Sequence, residues 1–132
     1  MIDCAVIGDS IALGVARNNP RCHAQAVSGI TSRDHARTFV GRVSANSVLI
    51  SLGSNDGDAN SERYLRAVRQ RIESGTVTWL LSPNNQRARS AVALIAREHG
   101  DRVIEIRPFV GSDRVHPTAS GYHRISSIWR ER

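Results

Sequence analysis

The chain contains no lysine, although eighteen of its 132 residues are basic, so its formal net charge of +6 rests on arginine alone. That absence removes four chemistries that need a lysine amine: the Walker A phosphate loop, the pyridoxal Schiff base, the protein-kinase site and the Ser-Lys hydrolase. Aromatic residues are also scarce, at 5%. Without the stacking platform that accompanies a basic groove, the arginines do not read as a specific nucleic-acid interface. Cysteine occurs only as Cys4 and Cys22, in no C-x-x-C or other metal-ligand spacing, so neither a metal nor a cofactor is expected. Each lies in or at the start of an apolar run, where a buried free thiol is the simpler reading, and a disulfide stays open if the two strands pair. No apolar run approaches the roughly eighteen residues of a membrane span. The first apolar segment begins at Ile2, which leaves no room for a secretory signal and makes a soluble, by default cytoplasmic, protein the expectation.

What is present is an ordinary globular mix, 40% hydrophobic and 23% charged, in a length that suits one compact domain over residues 1–132. Apolar runs alternate with amphipathic stretches, the pattern of βαβ units around a parallel sheet. Five strands are expected, at Ile2 to Ile7, His23 to Val27, Ser47 to Leu52, Val77 to Leu81 and Val103 to Ile106. Their near-continuous hydrophobicity suits a sheet covered by helices on both faces. Ser61 is expected to cap a helix that runs to about Ser74 and ends at Gly75, with Arg63, Arg66, Arg69 and Arg71 on its solvated side. Asn85 is expected to cap a longer helix stopped by Gly100, and a last helix should run from about Thr118 to Trp129 with Tyr122, Ile125 and Trp129 inward. Shorter helices are expected after Ser10 and Ser32. Short connections and right-handed crossovers favour a doubly wound, flavodoxin-like arrangement.

Open α/β sheets bind ligands beyond the carboxyl ends of their strands. Four segments fall there: Gly8-Asp9-Ser10, the turn at Gly29, the loop at Asn55, and Asp113-x-x-His116. A serine hydroxyl is a poor nucleophile until a base takes its proton, and that base works best when a third group fixes its tautomer. The three-residue spacing of Asp113 and His116 lets one turn of chain present both on the same side, with one imidazole nitrogen left for Ser10. The Ser10 and Gly29 N–H groups and the Asn55 amide then supply three donors to a developing oxyanion. No role in a serine hydrolase is left vacant.

These residues resemble a known family. GDSIALG at Gly8 to Gly14 is similar to the first block of the SGNH hydrolases, also called GDSL esterases. SGIT at Ser28 to Thr31, LGSND at Leu52 to Asp56 and DRVHPTASGY at Asp113 to Tyr122 are similar to the later blocks. The resemblance spans nearly the whole chain. It implies a three-layer α/β/α flavodoxin-like fold and metal-independent ester hydrolysis through an acyl-enzyme. In it Ser10 would be the nucleophile, Asp113 and His116 would complete a triad, and Ser10, Gly29 and Asn55 would form the oxyanion hole.

Ile11 stands where the family usually has leucine, and Ser32 where many members have a second glycine. The loops around the site are short, so a shallow, open cleft is expected, one that suits a small acyl group on a carbohydrate better than a lipid. The alternative is a non-catalytic glycan-binding or interaction module on the same scaffold. Asp9 and Asp56 are read as braces of their turns, Arg33 and Arg114 as solvated charges flanking the site, and Pro117 as part of the final helix's first turn. His23, His35, His99 and His123 are read as surface or helix-packing residues.

Overall fold

A computed structural model describes residues 2–131. Five parallel strands, β1 (Ile2–Gly8), β2 (His23–Ala26), β3 (Val43–Ser51), β4 (Ile72–Leu81) and β5 (Arg102–Glu105), form one sheet in the order β2-β1-β3-β4-β5. This is the doubly wound, flavodoxin-like order, in which the direction of winding reverses between β1 and β3. Helices α1 (Ser10–Arg17), α2 (Ser32–Thr38), α3 (Ser61–Gln70), α4 (Gln86–His99) and α5 (Ala119–Arg130) connect and cover the strands.

Alternation along the strands divides the core in two. Ala5, Ile7, Val48, Ile50, Val77 and Trp79 meet Leu65 and Val68 of α3 and Val92 and Ile95 of α4. Val6, Leu49, Leu80 and Ile104 meet Ile11 and Val15 of α1 and Ile125 and Trp129 of α5 on the opposite face. The sheet is therefore the middle of three layers, as the unbroken apolar runs require.

Caps account for several boundaries. The Asn85 side chain accepts from the Ala88 N–H, and Gly100 takes the left-handed conformation that ends α4, both as read from sequence. Three expectations are corrected. Helix α3 stops at Gln70 and β4 begins at Ile72, so Gly75 lies inside a strand. Ser61 is not the cap, since Asn60 holds that position and the Ser61 hydroxyl turns to Asp56 at 2.6 Å. Pro117 lies outside α5, whose cap is Thr118, and pairs instead with Val110 in an antiparallel bridge.

Arg71 also departs from its expected place on a solvated face. It is buried and donates to the Gln25 side-chain oxygen at 2.9 Å and the Gly41 carbonyl at 3.2 Å. Arg69 forms a two-pronged bond with Asp101 at 2.8 and 3.0 Å, and the Trp79 indole donates to the same carboxylate at 3.0 Å. His35 is fully buried, with Nε2 donating to the Gln25 carbonyl at 2.9 Å. Burial depresses the pKa of His35, and the neutral ring suits that packing. Cys4 and Cys22 are joined in a disulfide with their Cα atoms 4.7 Å apart, so neither is the free thiol expected. Parallel pairing of β1 with β2 brings them together.

Candidate active site

Ser10 is the first residue of α1, and only Asp9 separates it from Gly8, the glycine that ends β1. Gly8 has φ +145°, and a Cβ there would lie 1.8 Å from the Ser51 carbonyl oxygen of β3, so only glycine allows β1 to leave the sheet this close to its neighbour. Asp9 caps the helix: its Oδ1 accepts from the Ile11 and Ala12 N–H groups at 3.1 and 3.4 Å, and from the Ser51 hydroxyl at 3.2 Å. The Leu13 N–H returns to the Asp9 carbonyl. Of the first-turn donors that a helix leaves unpaired, the Ser10 N–H is the one these bonds do not consume. Asp9 is 1% exposed and its Oδ2 has no partner among the described residues. Burial, opposed by those hydrogen bonds, raises its pKa to about 6.

The last segment arrives from the far side of the sheet. After β5 a short 3₁₀ turn (Arg107–Phe109) leads into a loop that its own backbone closes. Gly111 N–H donates to the His116 carbonyl at 2.9 Å and Thr118 N–H to the Phe109 carbonyl at 3.0 Å. Within it Asp113 Oδ1 accepts from the N–H groups of Val115 and His116, each at 2.9 Å, and Arg114 adopts a left-handed φ of 61°. These bonds wrap the chain around the carboxylate, leaving Oδ2 to accept from His116 Nδ1 at 2.7 Å. The backbone N–H of Val115, then the imidazole and the His116 N–H, hold Asp113 down at about 2. It is therefore ionised and can only accept, which places the proton on Nδ1 and leaves Nε2 as a base. Nε2 lies 2.8 Å from the Ser10 hydroxyl oxygen.

Ser10, His116 and Asp113 thus form one hydrogen-bonded line, as their sequence positions suggested. In it Nε2 can take the serine proton while Asp113 steadies the imidazolium.

The other two candidates flank Ser10 from β2 and β3. Gly29 has φ +78°, and its N–H donates to no acceptor among the described residues. The Asn55 amide donates to the Ile30 carbonyl at 3.1 Å, fixing the side chain and leaving its second N–H unspent. Between these loops Asp56 accepts from the Ser32 N–H at 2.8 Å, the Ser32 hydroxyl at 2.7 Å and the Ser61 hydroxyl at 2.6 Å. Asp56 is the brace expected of it, and Ser32, standing in for a glycine, supplies two of its three bonds.

The partners Ser51 and Ser61 were not read as site residues. Ser51 is a polar residue within an apolar strand, and that position is the signal that could have marked it.

Neither a protein-family model nor a curated protein matches the chain by sequence. Solved structures do match it in shape. A GDSL-like lipase from Bacteroides thetaiotaomicron VPI-5482 superposes with a TM-score of 0.65 at 16% identity, over 95% of this chain and 84% of that one. The fold is that of the SGNH hydrolases. A carbohydrate acetylesterase family member from Sinorhizobium meliloti gives 0.63 at 12% identity, over 96% of this chain and 94% of that one. The C-terminal catalytic domain of peptidoglycan O-acetyltransferase A from Streptococcus pneumoniae gives 0.58 at 16%, over 96% and 89%. The SGNH fold is thus present almost without additions, and the serine, imidazole and carboxylate meet at the carboxyl edge of its sheet. Among the described residues no group of histidine, cysteine and carboxylate side chains could hold a metal ion, and no helix is long and apolar enough to cross a membrane.

Proposed function

We propose that this chain is a serine ester hydrolase acting through an acyl-enzyme on short-chain acyl esters, with an acetylated carbohydrate as the substrate type. The observation that carries the reading is the Ser10–His116–Asp113 line, with contacts of 2.8 and 2.7 Å. Ser10 Oγ attacks the ester carbonyl carbon as His116 Nε2 takes its proton, and the carbonyl oxygen becomes an oxyanion facing the Ser10 N–H, the Gly29 N–H and the Asn55 amide. Collapse breaks the bond to the alcohol, which leaves with the proton from His116, and the acyl group stays on Ser10. Water then attacks the acyl-serine and gives a proton to His116. The second collapse releases the carboxylic acid and returns that proton to Ser10.

The side chains of His116 and Asp113 are 49% and 53% exposed, which supports an open cleft with few walls around the acyl group. An open cleft favours a small acyl group on a bulky alcohol. The carbohydrate acetylesterase among the structural neighbours is consistent with that preference.

The test is hydrolysis of p-nitrophenyl acetate and labelling by a fluorophosphonate, both abolished in Ser10→Ala. A protein that does neither is not this enzyme.

A further inference from the structure

At the edge of the sheet opposite Ser10, the start of β1 and the ends of α1 and α5 enclose a cavity of about 170 Å³. The Cys4–Cys22 disulfide forms part of its wall, with Ser47 and Trp129 beside it and Asp3, Asn19 and Arg130 around it. Its volume equals that of roughly six liquid waters, which admits a molecule of about that many heavy atoms. Cys22 sits in the turn before β2, between the exposed residues Arg21 and His23, whereas Cys4 is held within β1, between two neighbouring strands. An incoming group therefore meets the Cys22 sulfur, and Cys4 is the inner side of the bond.

Two buried donors belong to that inner side. Ser47 is the residue of β3 in register with Cys4 and is 1% exposed. Trp129, near the end of α5, is 3% exposed and belongs to the core against which both cysteines pack. Neither the Ser47 hydroxyl nor the Trp129 indole N–H has a hydrogen-bond partner among the described residues. Unpaired buried donors are costly, and a disulfide sulfur is too weak an acceptor to offset that cost. A thiolate is a strong one. Release of Cys4 as a thiolate gives both donors a charged acceptor, and stabilising the leaving sulfur is what accelerates thiol–disulfide exchange.

The rim carries opposite charges. Arg130 directs Nε and Nη2 to Asn18 and Asn19 and keeps Nη1, while Asp3 accepts from Asn46 at 3.3 Å. Among the described residues neither is joined in an ion pair, with the other or with any third group. A guanidinium and a carboxylate at one mouth match the carboxylate and ammonium of an amino acid.

We propose that this cavity is a site of reversible thiol modification, and that its ligand is a small zwitterionic thiol of the amino-acid class. The ligand's thiolate attacks Cys22 Sγ, the Cys4–Cys22 bond breaks, and its electron pair leaves on Cys4 Sγ beside Ser47 and Trp129. Cys22 keeps the ligand in a mixed disulfide. Attack by the Cys4 thiolate on Cys22 Sγ reverses the step and expels the ligand as its thiolate. While the bond is open, the loop that encloses α1 is untied.

Cysteine is the probe. Native protein held in millimolar cysteine, quenched at intervals with excess N-ethylmaleimide and digested with trypsin, should first give maleimide on Cys4 in fragment 1–17 and a cysteinyl group on Cys22 in fragment 22–33. Ser47→Ala and Trp129→Phe should each slow opening by roughly fivefold, part of the effect of one hydrogen bond to a charged group. The rate ratio of cysteine to neutral 2-mercaptoethanol, at equal thiolate concentration, should fall about threefold in Arg130→Gln and in Asp3→Asn, the scale of one exposed charge pair. A bond that opens only in urea-unfolded protein overturns the proposal, as does a first adduct on Cys4. Wild-type rates in both Ser47→Ala and Trp129→Phe refute the stabilised leaving sulfur, and a ratio unchanged in both charge variants refutes the zwitterionic ligand.

Discussion

Asp9 is a carboxylate buried in the turn beneath Ser10, with one oxygen bonded three times and the other not at all. Its pKa rises from 3.8 to about 6, so between those values the native protein holds a proton that the unfolded chain has released. Stability must then fall as pH climbs through that window, by on the order of 3 kcal/mol in total for this one group. Urea unfolding from pH 4 to 7 should show the decline, and Asp9→Asn, which keeps the capping oxygen, should flatten it. An unchanged slope in Asp9→Asn would assign the decline elsewhere. Asp113 works in the opposite sense: its pKa, lowered to about 2, makes its contribution fully present above the unfolded value and lost only as pH falls toward 2. Asn55 is predicted to matter for rate. Asn55→Ala should lower kcat by roughly a hundredfold or more with little change in KM, the loss expected for one oxyanion donor. A variant within threefold of wild type would remove Asn55 from that role.

At the scale of elements, the residues that meet at Ser10 were legible because each follows an apolar run and carries a side chain that chemistry rather than packing explains. Helix ends were less legible where two patterns overlap. Leu65, Val68 and Ile72 keep helical spacing, yet Ile72 already belongs to β4, because Arg71 turns inward to Gln25 and breaks the helix one residue earlier. Nothing local distinguishes that arginine from its solvated neighbours, since its partner lies 46 positions away. The disulfide has the same origin: register between β1 and β2, not spacing in the chain, decides that Cys4 meets Cys22. It closes a loop of sequence separation 18 that encloses all of α1. Reduction, or Cys4→Ser with Cys22→Ser, should cost about 3 kcal/mol by loop-closure entropy, read as a lower denaturation midpoint with an m-value that rises, because the freed unfolded chain exposes more surface. Asn85→Ala should cost about 1 kcal/mol through loss of the α4 cap, measured the same way.

For the molecule as a whole, strand order was legible because few topologies satisfy short, right-handed crossovers. The five-stranded order and the two-sided core follow that rule. Less visible was how the charge is spent. The arginines look uniform in the sequence. In the structure some join elements, as Arg69 joins α3 to the turn before β5 and Arg102 meets the Ile128 and Trp129 carbonyls near the end of α5. Others stand free near the site.

The closed loop also has an analytical consequence. A chain without lysine is cut by trypsin only after arginine, giving fragments 1–17 and 22–33 that carry Cys4 and Cys22. With the disulfide intact these leave the digest as one linked species containing both Ser10 and Gly29. A fluorophosphonate tag should appear in mass spectra on that linked pair before reduction, and on fragment 1–17 alone after it.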